Sequence, residues 1–139
     1  MLNSLTIQSF KAISSQVTIP LGAFNVIIGR NGSGKSSAIE ALSWLGECVS
    51  SGAADATRPF HRIDDLIYGG REGFNLSLAF DPHDFSVGSL VEFGLGVTKR
   101  DGRPLISSEF LRYCSGDIKT DRITTGAEEI GRASCRERV

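Results

Sequence analysis

The sequence predicts an α/β domain, with a mixed sheet built around one helix and an antiparallel hairpin after it. Three observations carry this. The β-branched run Phe24-Asn25-Val26-Ile27-Ile28 ends on Gly29 and opens a glycine-rich loop. Apolar residues then recur with helical spacing at Ala38, Leu42, Leu45 and Val49, broadened by Ile39, Ala41 and Cys48. Two later runs, from Phe74 to Phe80 and from Val91 to Val97, alternate apolar with polar residues as half-buried strands do.

In chain order, Leu5-Thr6-Ile7-Gln8 and Val17-Thr18-Ile19 alternate and predict two short opening strands, with the turn at Lys11 to Ser15. Phe24 to Ile28 predicts a buried strand feeding the loop. The helix behind the loop should reach Val49, where Ser50-Ser51-Gly52-Ala53-Ala54 stops it, and the segment through Thr57-Arg58-Pro59 predicts a surface loop. Asp64-Asp65-Leu66-Ile67 suggests a helical turn before Gly69-Gly70. After the two alternating runs, Asp101-Gly102 is a tight-turn dipeptide and Leu105 to Tyr113 resumes strand composition, which predicts the hairpin. Nothing repeats internally, and beyond Ser115 the pattern specifies no element.

The chain has 139 residues, 40% of them apolar and 22% charged, which suits one globular core. A net charge of -1 gives no general field for nucleic acid or anionic lipid, so any DNA contact would have to be local. Met1 to Gln8 has no charged leader or apolar run, and no stretch approaches membrane-spanning length, so a cytoplasmic protein is expected. Cys48, Cys114 and Cys135 lack metal or redox spacing and fit free thiols in a reducing compartment.

The final run, Glu129 to Val139, resembles a translated sequencing adapter and lacks the apolar spacing of a natural amphipathic tail. The expected organisation is therefore residues 1–128 as the N-terminal part of a larger domain and residues 129–139 as a non-native tail. Without its three Arg and two Glu, the chain's 15 basic and 16 acidic residues become 12 and 14, a net charge of -2.

The chemistry concentrates in Gly29-Arg30-Asn31-Gly32-Ser33-Gly34-Lys35-Ser36, which has the GxxxxGK[ST] spacing of a phosphate-binding loop. A triphosphate must be held by many donors with no bulky side chain between. The glycines let the backbone curl so that its N–H groups face the anion. Lys35 supplies a point charge for the β- and γ-phosphates, and the following helix adds its free amides and dipole. Ser36 is the hydroxyl for Mg2+. The candidate cofactor-binding set is Gly29, Arg30, Asn31, Gly32, Ser33, Gly34, Lys35, Ser36 and Ser37, with ATP and Mg2+ as cofactors and Ser36 as the metal contact; no catalytic residue is assigned.

The interior Arg30 to Ser37 resembles the loop of ABC-type ATPases of the SMC, RecF and RecN kind. Ser9-Phe10-Lys11-Ala12-Ile13 before the second strand and Ser37 to Leu42 after the loop are similar to the same group. Asp65-Leu66-Ile67, the strand from Phe74, Val91 to Leu95 and Glu109-Phe110-Leu111 resemble small AAA-family ATPases, including the OLD type. The resemblance covers residues 1 to 114, with only the loop specific. It implies the N-terminal half of a P-loop NTPase fold, Asn31 approaching the γ-phosphate, Lys11 near the nucleotide, and a parent that couples ATP binding to dimerisation or DNA work. The departures are plain. No apolar run ends in Asp-Glu, no LSGGQ-like signature is present, and both glutamines, Gln8 and Gln16, precede the loop. This chain is expected to bind nucleotide and not to hydrolyse it alone. Alternative readings are a P-loop kinase or GTPase fragment, for which no acceptor site or NKxD motif is seen, or an inactive half-domain with uncovered edges and faces.

Other residues have plainer uses. Arg58, Arg62 and Arg71 flank His61 and read as solvated charge, with phosphate or DNA contact the sharper alternative. Lys99, Arg100 and Arg103 crowd the hairpin tip, where charge discourages edge pairing. His61 and His83 have no acid or cysteine at ligand spacing, the Asp64-Asp65 and Asp81-Asp84 pairs read as turn residues, and Trp44 reads as a core or subunit-contact residue.

Overall fold

A computed structural model describes residues 1–81, 83, 91–115, 118–125 and 128–135, with side chains as far as Arg112. Strand β1 (Leu2–Gln8) pairs antiparallel with β2 (Val17–Pro20), setting Leu5 opposite Ile19 and Ile7 opposite Val17. The chain then forms α1 (Lys35–Ser51) and α2 (Ala53–Thr57), passes through single 3-10 turns at Arg58–Phe60 and Ile63–Asp65, and returns as β3 (Gly73–Phe80) on the free edge of β1. An antiparallel meander follows: β4 (Val91–Arg100), β5 (Arg103–Ser115), β6 (Ile118–Thr125) and β7 (Glu128–Cys135). The described strands form one sheet in the order β2-β1-β3-β4-β5-β6-β7.

Alternation sorts the two faces of the sheet. Leu5, Ile7, Phe74, Leu76, Leu95 and Val97 point to one side, where Ala38, Ala41, Trp44, Leu45 and Cys48 of α1 cover them. Phe74 is the centre of this core: the rings of Phe10 and Trp44 each meet it edge-on with centroids 5.0 Å away. On the open side, Thr6 bonds Thr18 (2.9 Å), and Glu92 accepts from Ser77 (3.4 Å) and Arg112 (2.9 Å). That side is polar, as a solvent-facing sheet surface should be.

The opening strands, the helix, the hairpin and the core position of Trp44 are as the sequence predicts, and the class is mixed α/β. The mixed sheet is not: every described pairing is antiparallel. The expected strand Phe24 to Ile28 is irregular, with Phe24 86% and Ile28 89% exposed. Two causes act together. The side-chain amide of Asn25 folds back on Gly22, accepting from its N–H and donating to its carbonyl, both at 2.9 Å, a local closure that competes with strand pairing. A strand apolar on both faces also needs neighbours at its edges, and no described strand lies beside it.

The predicted loop after α1 is instead partly helical. Gly52, at φ 93°, ends α1 by donating its N–H to Cys48 O (2.9 Å) and accepts from Ala56 N–H (3.1 Å) to start α2. Thr57 fixes α2 in place: its hydroxyl accepts the buried Trp44 indole N–H at 3.2 Å and donates to Ala53 O at 2.8 Å. Strands β6 and β7 were not legible in sequence, and β7 falls largely within the run read as non-native. Pro82 and Asp84 lie outside the described residues, as do the side chains of Cys114 and Cys135.

Replacing Phe74 by Leu removes two edge-on ring contacts, so the unfolding free energy should fall by about 1–3 kcal/mol. Denaturant titration checks this, and an unchanged midpoint would place the core elsewhere. Burial, and secondarily the charge of Glu109, pushes the Cys48 thiol up from 9.0 to about 11. Because the folded chain holds this proton more tightly than the unfolded chain, the contribution is complete below about 9 and is lost as pH rises toward 11. Thermal midpoints measured across that window should decline less in Cys48→Ala than in the parent.

Candidate functional site

The predicted phosphate loop is seated by the turn after β1. Ser9 and Lys11 both adopt positive φ, 59° and 48°, which folds the chain tightly. Main-chain bonds hold this shape: Ser9 N–H to Ser14 O (3.1 Å), Lys11 N–H to Leu66 O (2.8 Å), and Tyr68 N–H to Ser9 O (2.9 Å). The turn presents Ala12 and Ile13 to the start of α1. Ala12 N–H donates to Ser37 Oγ at 3.3 Å. Ile13 lies against Gly34, where an added Cβ would come within 3.0 Å of Ile13 Cγ1. Gly34 also sits at φ 96°, so both backbone shape and close approach require glycine there.

Within the loop, Ser33 N–H donates to Arg30 O at 3.1 Å and closes a turn, while Gly32 holds φ 80°. Lys35 folds back along the loop: its Nζ donates to Gly29 O at 2.5 Å and to Arg30 O at 2.7 Å. At the start of α1 no side chain caps the helix, and no acidic residue occupies the first turn. The amides of Gly34, Lys35 and Ser36 meet no acceptor among the described residues. They are the unserved donors at a helix start, carrying the positive end of its dipole. Arg30, Asn31, Ser33 and Ser36 are exposed beside them.

The loop thus ends in three unserved amides, Gly34 to Ser36, with the Lys35 ammonium folded onto the carbonyls of Gly29 and Arg30. Ser37, in the predicted binding set, belongs elsewhere. It is buried toward the sheet, and its hydroxyl serves Ala12, so it positions the helix rather than facing the loop's solvent side. Lys11 takes another partner as well: its ammonium pairs with Glu40 on α1 and lies 5.1 Å from the centre of the Phe60 ring. Sequence reasoning missed the roles of Ala12, Ile13 and Glu40, since positive φ at two non-glycine residues leaves no compositional trace.

The other candidates separate. Lys99 Nζ donates to Asp64 at 2.6 Å, and this hydrogen bond holds the Asp64 carboxyl below the usual range. Arg62 pairs with Asp65 at 3.4 Å, so the two carboxylates serve different cations. His83 donates its backbone N–H to Asp81 (3.0 Å). Among the described residues no group of His, Cys, Asp and Glu side chains gathers as a metal cluster, and no helix is long and apolar enough to cross a membrane.

Residues 1–54 match the profile of the AAA ATPase domain. The chain is 37% identical over 71 residues to the chromosome partition protein Smc of Desulfitobacterium hafniense, a match covering 50% of this chain and 6% of that protein. It is 47% identical over 66 residues to the DNA replication and repair protein RecF of Shewanella baltica, covering 48% of this chain and 18% of that one. A RecF of Shewanella piezotolerans is 49% identical over 45 residues. The chain therefore resembles SMC- and RecF-type ATPases over about half its length and spans a small part of those relatives.

Ser37→Ala leaves the Ala12 N–H without its partner, so stability should drop by about 1–2 kcal/mol. Chemical denaturation measures this, and a loss below a few tenths would show that the Ser37 hydroxyl does not anchor the helix.

Proposed function

We propose that Gly29 to Ser36 binds the phosphates of ATP with Mg2+, and that residues 1–128 are the N-terminal part of an SMC-, RecF- or OLD-like ATPase domain. The observation that carries this reading is the loop itself. Its turn is closed by Ser33 and Arg30, it runs into a helix whose first amides are unserved, and Lys35 is already folded onto it. Phosphate oxygens suit those donors better than the Gly29 and Arg30 carbonyls suit the ammonium, because charged acceptors form the stronger bonds.

In this reading Arg30 and Asn31 flank the phosphates, Lys35 neutralises their charge, and the Ser36 hydroxyl meets the metal, which would draw charge from the phosphate oxygens. Hydrolysis needs groups this sequence lacks, namely an Asp-Glu pair ending an apolar run and a signature segment from a partner subunit. Dimerisation, DNA association and a cytoplasmic location are readings for the whole protein, resting on its resemblance to Smc and RecF. Residues 129–139 are read as foreign to it.

One observation favours the second reading, a half-domain that does not bind: the exposure of Phe24 to Ile28 beside the loop. Titrating Mg-ATP against the chain and its Lys35→Ala variant separates the two. At one hundred times the dissociation constant a ligand adds about 2.7 kcal/mol of stability. The parent should therefore show a saturable rise in thermal midpoint that Lys35→Ala loses. Equal shifts, or none in a folded parent, would reject binding through this loop.

A further inference from the structure

We propose that the recess between α2 and the β4–β5 hairpin is a second anion site, shaped for a phosphate group and separate from the loop that precedes α1. The recess measures about 430 Å³. Thr57 and Ile63, both buried, form its inner wall, and Arg58, His61, Arg103 and Pro104 line the rest. Two arginines and a histidine from two separate stretches, Arg58 and His61 on one and Arg103 on the other, line this recess, and no carboxylate does.

The pairing of nearby charges makes the site stand out. Arg62 is matched by Asp65, Lys99 by Asp64, and Arg58 gives one guanidinium nitrogen to Asp55. The side chains of His61 and Arg103 have no acceptor among the described residues. Arg103 also lies directly across the hairpin from Arg100, in register. Like charges so placed destabilise a strand pair, and an anion beside them relieves the repulsion. His61 is held at φ 66°, ψ -49°, an uncommon conformation for a residue with a Cβ, with its N–H donated to Arg58 O (3.2 Å) and the next amide donated to Phe60 O (2.8 Å).

Guanidinium forks match phosphate oxygens two at a time, and donors arriving from different elements suit a tetrahedral anion better than a flat carboxylate. The phosphate can be free or part of a nucleic-acid backbone, since both present the same oxygens. The site also has a built-in reporter. Thr57, in its wall, accepts the indole N–H of Trp44, the chain's single tryptophan.

The test uses the whole chain in a Lys35→Ala background, so that the glycine-rich loop contributes little. Sodium phosphate is titrated against sodium chloride at matched ionic strength, following Trp44 fluorescence and calorimetric heat, and a labelled thymidine oligonucleotide is titrated by anisotropy. Arg103→Glu is compared with Arg71→Glu, an equal charge reversal at an exposed position away from the recess. Saturable binding that Arg103→Glu weakens by roughly tenfold or more, and Arg71→Glu by less than about twofold, supports the site. Binding of inorganic phosphate alone assigns it to free phosphate, and much tighter binding of the oligonucleotide assigns it to a backbone. Equal effects of the two reversals, or no saturable binding by a folded chain, overturns the proposal. Circular dichroism checks folding, and His61→Ala replaces Arg103→Glu as the deciding variant if that protein is unfolded.

Discussion

The seating of α1 on the sheet is the constraint on which the rest depends. One helix must bury Ala38, Ala41, Trp44, Leu45 and Cys48 against β1, β3 and β4, and it must do so at a fixed rotation and height. Trp44 fixes the rotation, because its ring meets Phe74 edge-on while its N–H reaches Thr57. The height is set at the N-terminal end, where Ser37 holds Ala12 and Gly34 meets Ile13. The glycine-rich loop is attached to that end, so core packing decides where its amides lie.

The same helix has a second apolar face. Ile39, Leu42 and Val49 are exposed on it, and Phe24, Val26, Ile27 and Ile28 are exposed before the loop. A helix apolar around most of its girth is suited to burial between two layers. Here the described residues supply one. The sheet covers the first face, while the β-branched run and the outer helix face remain in solvent. This arrangement separates what the chain builds for itself from what its sequence pattern is composed for.

How much was legible in the sequence follows from that separation. Alternation in β3 and β4, the Asp101-Gly102 turn and the spacing of α1 are local signals, and each gave the right element. The turn before α1 was legible because Gly32 and Gly34 take a positive φ there, which glycine adopts freely. The run Phe24 to Ile28 misled because burial is a statement about partners, and a pattern cannot say whether partners are present. The α2 segment misled in the opposite direction. Ser50 to Pro59 carries breaker chemistry, yet Gly52 only redirects the chain, and one hydrogen bond from Trp44 holds the short helix that follows. The clamp at Ala12 and Ile13 depends on positive φ at Ser9 and Lys11, which nothing in those residue types announces.

The uncovered segment Phe24 to Ile28 bears on the strength of any binding at the loop. No main-chain hydrogen bond among the described residues engages Val26, Ile27 or Ile28, whereas the residues after Ser33 are held by the helix and its clamp. A ligand that grips Gly29 and Arg30 must order the chain leading into them, at about 1–2 kcal/mol for each residue fixed. That cost is subtracted from whatever the phosphate contacts gain. A layer packed on Ile39, Leu42 and Val49 would pair the Phe24 to Ile28 backbone beforehand and remove the cost, raising affinity without adding a contact to the ligand. By linkage, a ligand that orders the loop must favour that layer by the same free energy. A ligand that ordered this segment and a layer that covered the outer helix face would therefore favour each other, joined through a stretch that makes no main-chain hydrogen bond among the described residues.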